Sequence, residues 1–77
     1  MDFEPFLSDL AEILELDRAA LTEEYPLDDT NWDSLAVVST IASIDESFGL
    51  ALPGDPLRAC QSVGDLLRLI REAARER

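Results

Sequence analysis

Hydrophobic residues recur at intervals of three and four in three segments of this chain, which is the spacing of one face of an α-helix. The first such segment contains Phe3, Phe6, Leu7, Leu10, Ile13 and Leu14. Asp2 is expected to act as the N-cap, and Pro5 is compatible with a helix because it falls in the first turn. The pattern therefore predicts a first helix that starts directly after Asp2.

The second segment lies between Asp33 and Gly49. Its main stripe consists of Val37, Ile41, Ile44 and Phe48, and its flanks are widened by Leu35, Val38 and Ala42. The β-branched residues could favour a strand. However, Asp33 is a good N-cap, Gly49 suits the left-handed position after a helix, and the length is roughly fourteen residues. These features predict a second helix.

The third segment begins after Ser62, which is expected to be the N-cap, with Asp65 near the capping-box position. Its apolar face contains Val63, Leu66, Leu67 and Ile70. Arginines crowd its C-terminal end, where positive charge is favoured by the helix dipole; they are Arg68, Arg71, Arg75 and Arg77. These features predict a third main helix.

Two connections complete the predicted fold. Residues 16–32 form a long loop whose apolar residues are expected to pin it across the helices; they are Leu16, Leu21, Tyr25, Leu27 and Trp32. Asp55 as an N-cap, followed by Pro56 at the first helical position, predicts a short helix over about residues 56–60. The sequence thus predicts an all-α fold and one domain over residues 1–77, with three main helices, one short helix and a long first loop.

Charge narrows the choice of partners. Seventeen acids face six bases, all of them arginine, so the net charge is −11. Such a surface repels nucleic-acid phosphate and anionic lipid, so neither is expected as a partner. It would steer the protein toward basic patches on other proteins, although the acids could equally serve only to keep a small domain soluble.

The residue types argue against self-contained catalysis. The chain has no histidine and no lysine, so Ser34 has no ordinary base to activate it as a nucleophile. The acidic run that starts at Asp29 fails as a calcium loop, because Ser34 replaces the glycine and Thr40 replaces the bidentate glutamate. No metal site is therefore expected.

Cys60 and Gly64 each allow two interpretations. A single cysteine excludes an internal disulfide, and Cys60 is expected to be a small buried residue rather than a reactive thiol. Gly64 is either tolerated near a helix end or required by a close neighbouring chain. The chain shows no secretory signal and no membrane-spanning apolar run, so a cytoplasmic protein is expected.

Three motifs lie at the ends of the predicted helices: Asp33-Ser34-Leu35 opens the second, Asp45-Glu46-Ser47-Phe48-Gly49 closes it, and Ser62-Val63-Gly64-Asp65-Leu66 opens the last. With these motifs the chain resembles the acyl carrier protein family. The resemblance implies that Ser34 carries a covalent 4′-phosphopantetheine, transferred from coenzyme A by a separate phosphopantetheinyl transferase. It also implies a non-catalytic carrier of acyl thioesters. A monomer is the default expectation, because the sequence shows no sign of an obligate oligomer.

Several kinds of partner and cargo are compatible with the resemblance. Acyl-loading, acyl-transfer or condensing enzymes with basic patches, from fatty acid, polyketide or related biosynthesis, are the expected partners. The alternatives are an aminoacyl or peptidyl carrier, and an acidic helical adaptor that binds basic partners without a cofactor. The predicted partner-recognition residues are Trp32, Asp33, Leu35, Ala36, Ser39, Asp45 and Glu46.

The chain also departs from the family pattern. Trp32 stands where many fatty-acid carriers have glycine, and Ala36, Ser39 and Thr40 are neutral where partners of those carriers read acids. These differences indicate a specialised, freestanding carrier with its own partners. Trp32 either contacts a partner or packs onto the bundle, and packing is favoured. Four residues could shelter an acyl chain, although ordinary core positions are favoured for them: Val38, Ile41, Ala42 and Val63.

Overall fold

A computed structural model describes residues 2–76 and shows four α-helices there. They are α1 (Glu4–Ile13), α2 (Ser34–Phe48), α3 (Gly54–Arg58) and α4 (Val63–Arg75). A single 3₁₀ turn, Arg18–Ala20, lies in the long loop between α1 and α2. The predicted all-α fold of three main helices and one short helix is confirmed. Arg77, predicted at the end of the last helix, lies outside the described residues.

The start of α1 differs slightly from the prediction. Phe3, not Asp2, occupies the N-cap position. The Asp2 carboxylate still accepts a hydrogen bond from the Glu4 N–H, at 3.0 Å between Oδ1 and N. Pro5 lies in the first turn, where a missing N–H breaks no helical hydrogen bond. Asp2 therefore stabilises the helix from one position earlier than expected.

The start of α3 is also shifted. The helix begins at Gly54 after an extended Pro53, so the prediction of Asp55 as N-cap was wrong. Asp55 instead lies in the first turn, where its charge suits the helix dipole and pairs with Arg58 at 3.3 Å. Pro56 is the third helical residue, and its missing N–H is still one of those without an intrahelical acceptor.

The core draws on all four helices. Eight of its members have exposed fractions of 1% or less: Phe6, Leu10, Val37, Ile44, Leu57, Val63, Leu66 and Ile70. The Phe48 ring packs against those of Phe3 and Phe6, with centroids 5.7 and 5.9 Å apart. These contacts confirm the main predicted stripes on α1, α2 and α4.

The predicted widening of the α2 stripe is wrong. Leu35 and Val38 are 75% and 58% exposed, and Ala42 is exposed as well. Thr40 and Ser43 are buried instead. Thr40 Oγ1 donates to the Ala36 carbonyl at 2.8 Å, and Ser43 Oγ donates to the Asp9 carboxylate at 3.1 Å. Both hydroxyls can face the bundle because each has a hydrogen-bond partner there.

The long loop is pinned as expected. Leu21, Leu27 and Trp32 are buried, while Leu16 and Tyr25 pack partly against the core. Residues 2–76 contain no helix that is long and apolar enough to cross a membrane.

Backbone hydrogen bonds also join the loop to the start of α4. The Gly64 N–H donates to the Glu23 carbonyl at 2.8 Å, and the Val63 N–H donates to the Tyr25 carbonyl at 3.1 Å. A Cβ at Gly64 would lie 3.2 Å from the Glu23 oxygen. The close approach of the loop segment at Glu23, rather than simple tolerance of glycine near a helix end, therefore accounts for Gly64.

Candidate functional site

Ser34 is the first residue of α2, and its side chain is exposed. Asp33 caps the helix, as predicted, with its Oδ1 accepting the Ala36 N–H at 2.8 Å. The first N–H groups of a helix have no intrahelical acceptor, and the helix dipole is positive at this end. The Ser34 hydroxyl therefore lies where the backbone favours an attached or bound anion.

The turn before Ser34 is held by Asp28. Its carboxylate accepts hydrogen bonds from the Thr30 hydroxyl and amide, and these bonds lower the pKa of Asp28 below its usual value. The Asn31 side chain accepts from the Asp28 N–H and donates to the Pro26 carbonyl. This network leads the chain into α2 through a closed turn.

Trp32 follows this turn and packs into the bundle. Its side chain is 9% exposed, and its Nε1–H donates to the Leu57 carbonyl of α3 at 2.8 Å. The packing interpretation of Trp32 is confirmed, and the ring is too enclosed to serve as an aromatic anchor for a partner.

The other predicted recognition residues differ in accessibility. Leu35, Asp45 and Glu46 are exposed, and Ser39 is half-buried. Ala36 is only 8% exposed, so it offers a partner little surface because it faces the bundle. The two acids lie at the far end of α2, about 17–18 Å along the axis from Ser34 at 1.5 Å per residue.

Val38 is an accessible residue that the sequence reasoning assigned to the core. It lies three positions after Leu35, so the two share one side of α2. They are the exposed large hydrophobic residues of the described chain. The four residues considered as an acyl shelter do not come together, since Val38 and Ala42 face solvent while Val63 is 1% exposed.

A groove of about 300 Å³ opens between the end of α1 and the start of α2, and its lining includes Asp33 and Leu35. Its α1 side is shaped by Glu15, whose φ of 59° is left-handed, and by the Leu16 N–H, which donates to the Ala11 carbonyl at 2.8 Å. This is the hydrogen bond of a Schellman motif, which turns the chain sharply at the end of a helix. On the α2 side the groove is lined by Ala36 and Ser39.

Within residues 2–76 the structure tests the expectations for a metal site and for Cys60. No three His, Cys, Asp or Glu side chains come together there as a metal site. Cys60 is 8% exposed, and its thiol donates to the Pro56 carbonyl at 3.4 Å. Burial, aided by Asp65, raises the pKa of Cys60 to about 11. The structural interpretation of this cysteine is therefore confirmed.

Comparisons with known proteins show the family of this chain. A protein-family model described as "Phosphopantetheine attachment site" matches residues 5–70. The chain is also 34% identical over 71 residues to the acyl carrier protein of Helicobacter pylori (strain G27), covering 91% of each chain. The chain thus belongs to the acyl carrier protein family, non-catalytic carriers with a covalent 4′-phosphopantetheine that interact with acyl-handling enzymes and a phosphopantetheinyl transferase.

Proposed function

We propose that the Ser34 hydroxyl is the attachment point of the 4′-phosphopantetheine. The observation that carries this proposal is the exposed hydroxyl on the first residue of α2, directly after the capping Asp33. When bound, the group supplies a thiol that holds acyl groups as thioesters. The protein presents that thiol on a rigid helix end.

At this helix end the Asp33 carboxylate and the backbone N–H groups have different roles. The Asp33 carboxylate is committed to the Ala36 N–H. The N–H groups of Ser34 and Leu35 belong to the first turn, which has no intrahelical acceptors for them, so they can stabilise a phosphodiester on Ser34. The residues therefore fit the group: a nucleophilic oxygen, two nearby donors and a favourable dipole lie together.

The outer face of α2 is the proposed docking surface for partner enzymes. Leu35 and Val38 offer an apolar contact next to Ser34, with the half-buried Ser39 beside it. Asp45 and Glu46 lie on the same helix at its far end and suit a basic patch. A partner would therefore combine apolar contact near the arm with charge attraction farther along the helix.

The proposed cargo is an acyl intermediate of fatty acid, polyketide or related biosynthesis. An aminoacyl or peptidyl cargo is the alternative, because the same arm holds either as a thioester. The cofactor-free adaptor is not favoured, since the family match is to a phosphopantetheine attachment site. We further propose a cytoplasmic monomer without nucleic-acid or membrane partners. The net charge of −11 supports the absence of those two kinds of partner, because it repels nucleic-acid phosphate and anionic lipid.

Intact mass after incubation with coenzyme A and a promiscuous phosphopantetheinyl transferase tests the attachment point. Wild type is expected to gain one phosphopantetheine, and Ser34→Ala is expected to gain none while keeping its helical circular dichroism. Ser47→Ala, which changes an exposed serine on the same helix, serves as the control and should load normally. No gain by wild type with several transferases would contradict the proposal, and a gain by Ser34→Ala would move the site to another residue.

A further inference from the structure

The groove between the end of α1 and the start of α2 combines apolar walls with negative charge. Ile13 and Leu14 supply apolar side chains from the end of α1, and Leu35 supplies one from α2. The charged residues of the lining are Glu15 and Asp33, and none of the arginines that the structure describes lies among the lining residues. The groove therefore suits a group that is apolar along its length and positive at one end.

The Glu15 carboxylate is available to such a group. In the described part of the chain it has no hydrogen-bond or ion-pair partner. Arg18 is the base nearest to it in the sequence, and the Arg18 guanidinium is bound to the Glu4 carboxylate. One oxygen of Asp33 caps α2, so Asp33 adds its charge to the groove, while Glu15 offers both oxygens as acceptors.

The fold of the turn does not account for a glutamate at position 15. Its φ of 59° is left-handed, and it is the non-glycine residue with positive φ in the described chain. Glycine adopts this conformation after a helix without a steric penalty, whereas a residue with a Cβ is strained there. The side chain of Glu15 therefore costs the turn stability, and it gains no partner within the described chain in return.

The groove adjoins the surface that any enzyme modifying Ser34 must cover. Leu35 follows Ser34 directly, is 75% exposed, and belongs both to the outer face of α2 and to the groove lining. An ordinary protein–protein interface buries about 800 Å² on each partner. The accessible surface of this protein is 4753 Å², so such an interface covers about a sixth of it. A transferase bound over Ser34 therefore extends across Leu35 to the groove.

We infer that this groove receives a long basic side chain, arginine or lysine, of the phosphopantetheinyl transferase. The inference rests on the proposed attachment at Ser34, because that reaction brings the transferase to this end of α2. The aliphatic part of the basic side chain packs against Ile13, Leu14 and Leu35. Its charged end binds the Glu15 carboxylate in a charge-assisted hydrogen bond. Glu15 is thus a recognition residue outside α2.

Steady-state loading by a promiscuous phosphopantetheinyl transferase, with coenzyme A saturating, tests this inference. At low salt Glu15→Gln is expected to raise the KM for the carrier about three- to fivefold with little change in kcat, as for the loss of one partly exposed ion pair. Glu24→Gln removes the same charge from an exposed glutamate outside the groove lining, and its KM should rise less than about twofold. The difference between the two variants should disappear at high salt, which screens the pair.

Glu15→Gly separates recognition from folding. Glycine suits the left-handed backbone at position 15, so the urea midpoint of this variant is expected to equal or exceed that of wild type. Its KM should nevertheless rise as in Glu15→Gln, because the carboxylate is gone. A residue that served only the fold would lower the urea midpoint on substitution and leave the KM of the folded protein unchanged.

The outcomes separate the groove from the attachment site. If wild type is loaded on Ser34 while Glu15→Gln and Glu24→Gln have the same KM, the groove inference is overturned and the attachment stands. A rise in KM for Glu15→Gln that persists unchanged at high salt would also overturn it, because an ion pair is screened. If wild type gains no phosphopantetheine, the proposed attachment fails, and the inference that rests on it fails with it.

Discussion

The helices α2 and α4 are similar in length but divide their residues differently between core and solvent. In α4 every residue of the predicted stripe is buried, and the outer face is charged, with Arg68, Arg71, Glu72 and Arg75 exposed. In α2, Leu35 and Val38 face solvent while Thr40 and Ser43 are buried. The inverted pattern occurs on the helix that begins with Ser34, which is where function competes with simple core packing.

This inversion has an energetic cost for folding. Complete burial of a leucine or valine side chain contributes about 1.5–3 kcal/mol, and α2 forgoes more than half of this at Leu35 and Val38, which are 75% and 58% exposed. The exposed Leu35 and Val38 therefore make sense as a contact for another protein, whereas the apolar stripe of α4 serves only to stabilise the fold. Substitutions matched between the two helices test that division.

The largest expected difference is between Leu66 of α4 and Leu35 of α2. Leu66 is fully buried, so Leu66→Ala should lower the free energy of unfolding by about 2–5 kcal/mol. Leu35 is 75% exposed, so Leu35→Ala should change it by no more than about 0.5 kcal/mol. Urea denaturation measures both, and equal losses would contradict the division.

The exposed residues Leu35 and Val38 can also be tested through their effect on loading by the transferase. Leu35→Ala is expected to slow loading by the transferase, because the residue adjoins Ser34 on the proposed docking surface. Val38→Ala is a second test on that surface. If both variants load at the wild-type rate, the apolar face of α2 does not contact this partner.

Removal of the N-caps of α2 and α4 should produce a smaller difference in stability than the leucine substitutions. Asp33→Ala removes a charged cap with a 2.8 Å hydrogen bond, whereas Ser62→Ala removes a neutral one at 3.3 Å. Loss of an N-cap costs about 0.5–2 kcal/mol, and we expect Asp33→Ala in the upper half of that range and Ser62→Ala in the lower half. Thermal unfolding of the two variants checks this order, and the reverse order would show that cap charge does not decide it.

The buried hydroxyl of Ser43 gives a smaller effect. Ser43→Ala removes its hydrogen bond to Asp9 between α2 and α1, and should cost about 0.5–1.5 kcal/mol. Ser47→Ala changes an exposed serine of the same helix and is the matched control. Chemical denaturation that cannot distinguish the two variants would mean that the contact between the helices does not contribute to stability.

Salt should produce the smallest change. With a net charge of −11 the folded chain repels itself, and moderate salt screens that repulsion. We expect the melting temperature to rise by a few degrees between low and moderate salt, and to rise more in Arg75→Glu, which adds negative charge to α4. Melting that is indifferent to ionic strength in both proteins would contradict a stability cost from the acids.

The sequence predicted the helices well because their caps and stripes are local signals. Asp33, Gly49 and Ser62 were assigned correctly as helix boundaries. The burial of Trp32 also followed from its apolar ring, although its partner, the Leu57 carbonyl, is 25 residues away. The position of Ser34 at the start of α2 could be recognised from the motif around it.

Other features could not be predicted because they depend on contacts between distant segments. Val38 lies close to buried residues along α2, so its position in the sequence predicts burial. Only the orientation of α2 against the other helices shows that it faces solvent. The reason for glycine at position 64 became clear only from the position of the Glu23 carbonyl in the fold. The groove between α1 and α2 depends on how the end of α1 meets α2, and periodicity along one helix contains no such information.

The burial of Cys60 protects the chemistry of the arm. A thioester on one sulfur can migrate to another thiolate by exchange, and this chain has a single cysteine. With its pKa raised to about 11, only about one in ten thousand Cys60 thiols would be ionised at pH 7. Cys60 is therefore a poor acceptor for an acyl group that the cofactor carries.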